Sequence, residues 1–152
     1  MQRYWRASAA LRSAVRSPAD AALAARIALF AITAPHQLER ADVESYVKRL
    51  RRQGRPRAID LNASRERIVR LRNGVLGMPW IWRRNTCYLR ALVLYRFLDG
   101  DGELRLHVGV EEDRSADRLH GHAWVSVDGQ VIEGPDGVVL DRVREIPMYA
   151  RR

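Results

Sequence analysis

The chain has 152 residues, enough for one domain with a real core. A hydrophobic content of 47% excludes an intrinsically disordered chain, and 27 Lys+Arg against 18 Asp+Glu leave a formal net charge of +9. Cys87 is the only cysteine, which excludes an internal disulfide and makes a reducing cytosol the expected compartment.

Ser17-Pro18-Ala19-Asp20 reads as a helix start, with Ser17 as cap, Pro18 in the first position and an acid in the first turn. That helix is expected to run to about Thr33 and stop before Pro35. Its apolar stretch, Ala21 to Ala34, is interrupted by Arg26 and is too short to span a bilayer, so no transmembrane segment is expected. It begins too late, just after Asp20, to suit a signal peptide. A second helix is expected from about Glu39 to Arg52, with Val43, Tyr46, Val47 and Leu50 on one face and charge elsewhere. A third runs from Ser64 to Leu76 and is broken by Gly77-Met78-Pro79. Pro79 to Asn85 reads as a loop carrying Trp80 and Trp82. A fourth helix, Cys87 to Leu98, is apolar nearly all round and should be buried.

From Leu104 the period changes to two. Leu104, Leu106, Val108 and Val110 alternate with Arg105, His107 and Gly109, as in a half-buried strand. Glu111 to Arg118 reads as polar loop and Leu119 to Val127 as a second strand. Asp128-Gly129 is a hairpin turn, and Gln130 to Glu133 begins a third strand. The tail, Val138 to Val143, has the composition of one more short strand. Helices first and strands after argue an α+β fold.

The chemistry centres on Cys87. A thiol in the first turn of a helix lies at the positive end of the helix dipole, which favours the nucleophilic thiolate. His122 follows on a strand and suits a general base, and His120, two residues earlier on the same face, is the runner-up. With a two-residue turn at Asp128-Gly129, Ser126 opposes Val131 and Trp124 opposes Glu133. Glu133 then shares the face of His122 and can act as the acid that holds the imidazole. Asp136 comes second. Asp128, about 20 Å along the strand from His122, comes last and is most simply a turn residue. The bland alternatives are a cysteine that only fills space, a structural histidine and tryptophans that only pack. Cys87, His107, His120 and His122 have no compact metal-ligand spacing, so no metal and no cofactor are expected.

Met78-Pro79-Trp80 and Asn85-Thr86-Cys87-Tyr88-Leu89-Arg90-Ala91-Leu92 resemble the cysteine region of the transglutaminase-like peptidases of lasso-peptide biosynthesis, where a Pro-Trp pair precedes a Cys-Leu-x-x-Ala-Leu helix. His107-Val108-Gly109-Val110 and His120-Gly121-His122-Ala123-Trp124-Val125-Ser126-Val127-Asp128-Gly129 resemble that family's Gly-Val strand and its His-Ala-Trp-Val-x-x-Asp-Gly signature. The resemblance covers about residues 65 to 135. It implies a papain-like or transglutaminase-like core, with a central cysteine helix on a small antiparallel sheet over residues 64–152, behind an N-terminal helical layer over residues 1–63. Cys87 is then the nucleophile, His122 the base and Glu133 the acid. Trp80, Trp82 and Trp124 are candidates for the substrate groove. The family's acid is usually Asp, about a dozen positions past the histidine, where this chain has Glu133 and Gly134.

The implied activity is removal of the leader from a ribosomally made precursor peptide, after which a separate ATP-dependent lasso cyclase closes the ring. Residues 1–63 read as helices with no strand-rich leader-recognition domain, so the stand-alone form with a separate recognition protein is expected. Acyl transfer through the same thioester is the rival within enzymes. The rival from another class is a basic, non-catalytic module for acidic peptides or nucleic acid, which an arginine-rich surface would suit (Lys48 is the only lysine). A GC-rich genome produces the same arginine bias, and nucleic acid is not the expected partner.

Overall fold

The computed structural model describes residues 11–40, 43–52, 65–82, 86–98, 103–113, 118–133, 144–146 and 150–151. A helical turn over residues 11–14 leads into α1 (Pro18–Arg40). Then come α2 (Val43–Arg52), α3 (Arg65–Leu76), the single turn α4 (Pro79–Trp82) and α5 (Cys87–Phe97). Five strands follow, β1 (Leu104–Asp113), β2 (Arg118–Val127), β3 (Gln130–Glu133), β4 (Arg144–Ile146) and β5 (Ala150–Arg151). Helices followed by an antiparallel sheet make the chain α+β, as its order of elements predicts.

Ser17 caps α1, its Oγ accepting the Asp20 N–H at 3.1 Å. The helix does not stop at Pro35, as expected from the ring's missing N–H and its clash with the preceding turn. Ala24, Ile27, Ala31 and Ala34 form a buried stripe that continues to Pro35, so packing holds the helix together past the lost bond. The Thr33 hydroxyl also donates to the Leu29 carbonyl, at 2.9 Å. Glu39 and Arg40 therefore end α1 rather than begin α2. At 23 residues, α1 is long and apolar enough to cross a membrane by length and composition, unlike the shorter run expected. Its buried stripe nonetheless packs on α3 and α5, as a core helix does.

Tyr46, Val47 and Leu50 form the buried face of α2. In α3, Ile68, Leu71, Val75 and Leu76 are buried, and Arg72 with them. Gly74 sits mid-helix, where glycine is about 1 kcal/mol worse than alanine. A Cβ there would stand 3.1 Å from Ala14 Cβ and 3.3 Å from Leu11 Cα, so the glycine lets residues 11–14 lie close on α3. Residues Pro79 to Trp82, read as loop, close one helical turn. Leu89, Ala91, Leu92, Val93, Leu94 and Tyr95 are all buried, so α5 is central to its unit. Phe97 meets Phe30 of α1 edge to face, ring centres 5.7 Å apart.

The sheet order is β3-β2-β1-β4, with β5 also pairing β1. β1 and β2 pair from Leu104↔Val127 to Asp113↔Arg118, so the segment read as polar loop from Glu111 is ladder instead. Backbone hydrogen bonds extend an antiparallel pair without needing apolar side chains. Asp128 and Gly129 have φ of 49° and 79°, the doubly positive pattern of a type I′ turn. Val138 to Val143, read as a strand, lies outside the described residues, while β4 and β5 beyond it had no clear sequence signal.

The chain forms two compact units, Met1–Asp99 and Gly100–Arg152. Within the first unit, α3 and α5 pack on α1.

Candidate active site

Thr86 is extended (φ −97°, ψ 159°), and its hydroxyl accepts the Leu89 N–H at 3.2 Å. Its carbonyl accepts the Arg90 N–H at 3.0 Å. This is a helix N-cap, and it makes Cys87 the first helical residue of α5. The thiol is half-buried. Cys87 thus has the helix-start position that its sequence context predicts. The apolar body of α5 fixes that position, since the helix cannot slide without exposing Leu89, Leu92 and Val93.

His122 lies in β2 opposite Gly109 of β1 and is half-buried. Strand alternation separates Ala123 and Val125, both buried, from His122, Trp124 and Ser126 on the other face. On that second face the register adds His107 opposite Trp124 and Arg105 opposite Ser126. The His107 and Trp124 rings stack with centres 5.2 Å apart and planes 5° apart. His107 Nε2 is 2.7 Å from Ser126 Oγ. Trp124 is only 6% exposed, so most of its ring serves packing. His120, the alternative base, lies in β2 opposite Glu111.

The β2–β3 register corrects one expectation. Val127 opposes Gln130 and Ser126 opposes Val131, as a two-residue turn requires, but Glu133 opposes Val125 instead of Trp124. The pairing shifts by one residue between Val125 and Ser126, as in a β-bulge. Glu133 is therefore not set opposite Trp124 by the ladder. Asp128 is occupied structurally: its Oδ1 accepts the Glu103 N–H at 2.8 Å and its own N–H donates to the Glu103 carbonyl at 3.1 Å. Asp136 lies outside the described residues. Glu145, which the sequence did not single out, pairs with Gly109 from β4. Since Gly109 also pairs with His122, residues 122, 109 and 145 are level across three strands.

Of the tryptophans, Trp80 is 64% exposed and Trp82 belongs to the α4 turn. Trp80 edges an apolar cavity of about 280 Å³ whose other lining includes Val15, Ala25, Ala28 and Met78. Among the described residues no three His, Cys, Asp or Glu side chains come together as a metal site.

Sequence reasoning missed the His107–Ser126 bond and the cavity. Alternation put His107 on the right face, but nothing in the pattern announced its stacking partner. A family model of the transglutaminase-like superfamily matches residues 4–146. No curated protein and no solved structure matches the chain.

Proposed function

The chain belongs to the transglutaminase-like superfamily, and from that premise we propose that it is a cysteine peptidase that removes the leader from a ribosomally made precursor peptide during lasso-peptide maturation. The family match over residues 4–146 carries the reading. The capped helix start at Cys87 and the strand position of His122 support it. The lasso-specific part rests on the Pro79-Trp80 pair, the Cys87 helix motif and the His122-Ala123-Trp124 signature.

In this reading His122 takes the thiol proton of Cys87 and the sulfur attacks the carbonyl carbon at the leader–core junction. First-turn N–H groups of α5 support the oxyanion. His122 returns the proton to the leaving amine as the C–N bond breaks. Water then attacks the thioester, releasing a carboxylic acid and regenerating the thiol. Glu133 is the proposed acid, with Asp136 behind it; the shared level of His122, Gly109 and Glu145 favours Glu145 as a competing assignment. The enzyme would act in the cytosol, with a separate leader-recognition protein and an ATP-dependent cyclase as partners.

The test is a lasso-peptide precursor, incubated with the chain and a leader-recognition protein and analysed by mass spectrometry. Hydrolysis gives two fragments, and Cys87→Ala should give none. A crosslinked product would make the enzyme an acyltransferase. Full cleavage by Cys87→Ala would end the thiol mechanism, and salt-sensitive binding without cleavage would leave a basic binding module.

A further inference from the structure

The cavity edged by Trp80 lies wholly within the helical unit, and the mechanism makes no use of it. Leu11, Val15, the Ala25 and Ala28 side of α1, Trp80 and Ile81 are among the residues that line it. Every lining residue is apolar. Its volume of about 280 Å³ is just below the usual range of ligand pockets, room for one or two large side chains rather than a cofactor. Trp80 stands 64% exposed at the mouth, and Leu29, one turn on from Ala25, is exposed to the same degree and extends the apolar surface. Exposed apolar area beside an open pocket is the usual mark of an interaction site.

Charge names the occupant. Arg12 and Arg16, interleaved with Leu11 and Val15, are both exposed. The only carboxylate between residues 11 and 38 is Asp20, which is buried against Arg67 and Arg70. In sequence, Arg83 and Arg84 follow the lining residue Ile81 closely. A second copy of the chain, itself at +9, is disfavoured by like charge. An acidic segment is favoured, and the alanines leave depth for one bulky side chain between basic flanks.

We propose that this cavity is a docking site for an acidic peptide that inserts one large apolar side chain. On the peptidase reading above, that peptide is the leader of the precursor, held by the enzyme itself in addition to the recognition protein. Trp80 covers the inserted side chain, and Arg12 and Arg16 attract the carboxylates around it.

The probe is a short fluorescein-labelled peptide of glutamate and glycine with one central tryptophan, titrated with the full chain and read by anisotropy. Replacing the central tryptophan by alanine should weaken binding about tenfold or more, as expected for a pocketed anchor. Ala25→Phe, which fills the cavity from its rim, should weaken it to a similar extent, and so should Trp80→Ala at an exposed position that cannot unfold the core. Arg12→Gln with Arg16→Gln should weaken binding and flatten its salt dependence.

Wild-type affinity in both Ala25→Phe and Trp80→Ala would overturn the proposal. Equal binding of a lysine-for-glutamate probe would also overturn it. A dimer lost in Ala25→Phe would make the occupant a second copy, and binding only to phosphatidylglycerol vesicles would make it a lipid surface; either result replaces the peptide. Failure of the peptidase reading is separable. Cys87→Ala should bind the probe as wild type does, so cleavage that persists in Cys87→Ala sinks the peptidase and not the docking site. Ala25→Phe and Trp80→Ala that both bind at wild-type affinity while cleavage proceeds sink the docking site and not the peptidase.

Discussion

His107 lies flat on Trp124, ring centres 5.2 Å apart, while its Nε2 meets the Ser126 hydroxyl at 2.7 Å. One ring thus holds two residues of β2 on the face that carries His122. Removing it deletes an aromatic pair worth about 1 kcal/mol and leaves the buried Ser126 hydroxyl without this bond, at about 1–3 kcal/mol. His107→Ala should therefore lower unfolding free energy by about 2–4 kcal/mol, measured by urea denaturation. His107→Phe keeps the stack and loses the bond, and Ser126→Ala in that background should restore part of the loss. A double-mutant cycle with no coupling between positions 107 and 126 would show that the contact carries no energy.

The parts of this arrangement that depend on local pattern were legible. Alternation over Leu104 to Val110 predicts β1, the Asp128-Gly129 turn predicts the β2–β3 hairpin, and Thr86 before an apolar run predicts the α5 start. Three features were not legible, for identifiable reasons. Proline's local penalty at Pro35 lost to a buried stripe that only the folded helix creates. The bulge opposite Val125 moves Glu133 by one register position, and a strand pattern carries no sign of one inserted residue. β4 has only three residues, too few for a period, so the alignment of Glu145 with His122 was invisible.

His122→Ala should be as damaging to precursor cleavage as Cys87→Ala, since nucleophile and base act as a unit. His120→Ala should be much milder. The check is kcat/KM for leader removal, with far-ultraviolet circular dichroism to verify folding. A greater loss at His120 than at His122 would reassign the base.

Asp20 has a lowered carboxyl pKa, chiefly because it accepts the Arg16 backbone N–H at 2.9 Å, and further because Arg67 and Arg70 face it; burial opposes the shift. A depressed folded-state pKa adds stability that is present above the unfolded value, about 3.8, and is lost as pH falls through the folded value. The helical unit should therefore weaken below about pH 4. Asp20→Asn should remove that acid sensitivity and, at neutral pH, cost about 3 kcal/mol by leaving two arginines facing a neutral amide. Parallel pH–stability curves for wild type and Asp20→Asn would contradict this.

Tyr46 provides the alkaline counterpart. Burial pushes its hydroxyl up to about 12, against the opposing pull of Arg96 and Arg49. Its contribution is intact below the ordinary value near 10 and declines as pH rises toward the folded value. Tyr46→Phe should flatten the fall in thermal stability across that window. An unchanged slope would assign the alkaline loss to other groups.

The acid of the proposed triad is open to a direct contest. Glu133 has the position in the chain that the family resemblance favours, but its register partner is Val125, whose neighbour along β2, not itself, shares the face of His122. Glu145 has no motif in its favour. Its backbone is level with that of His122, two interstrand spacings away or about 10 Å, with a glycine between them. If Glu133 orients the imidazole, Glu133→Gln should slow cleavage substantially without ending it, shift the acidic limb of the pH–rate profile, and leave Glu145→Gln near wild type. If Glu145 does so, the two variants exchange behaviour. Gly109→Val supplies an independent reading: a side chain on the middle strand should damage the enzyme far more if positions 122 and 145 communicate across it. Should both glutamines retain the wild-type pH profile, the acid lies outside the pair, and Asp136→Asn becomes the variant that must show the shift.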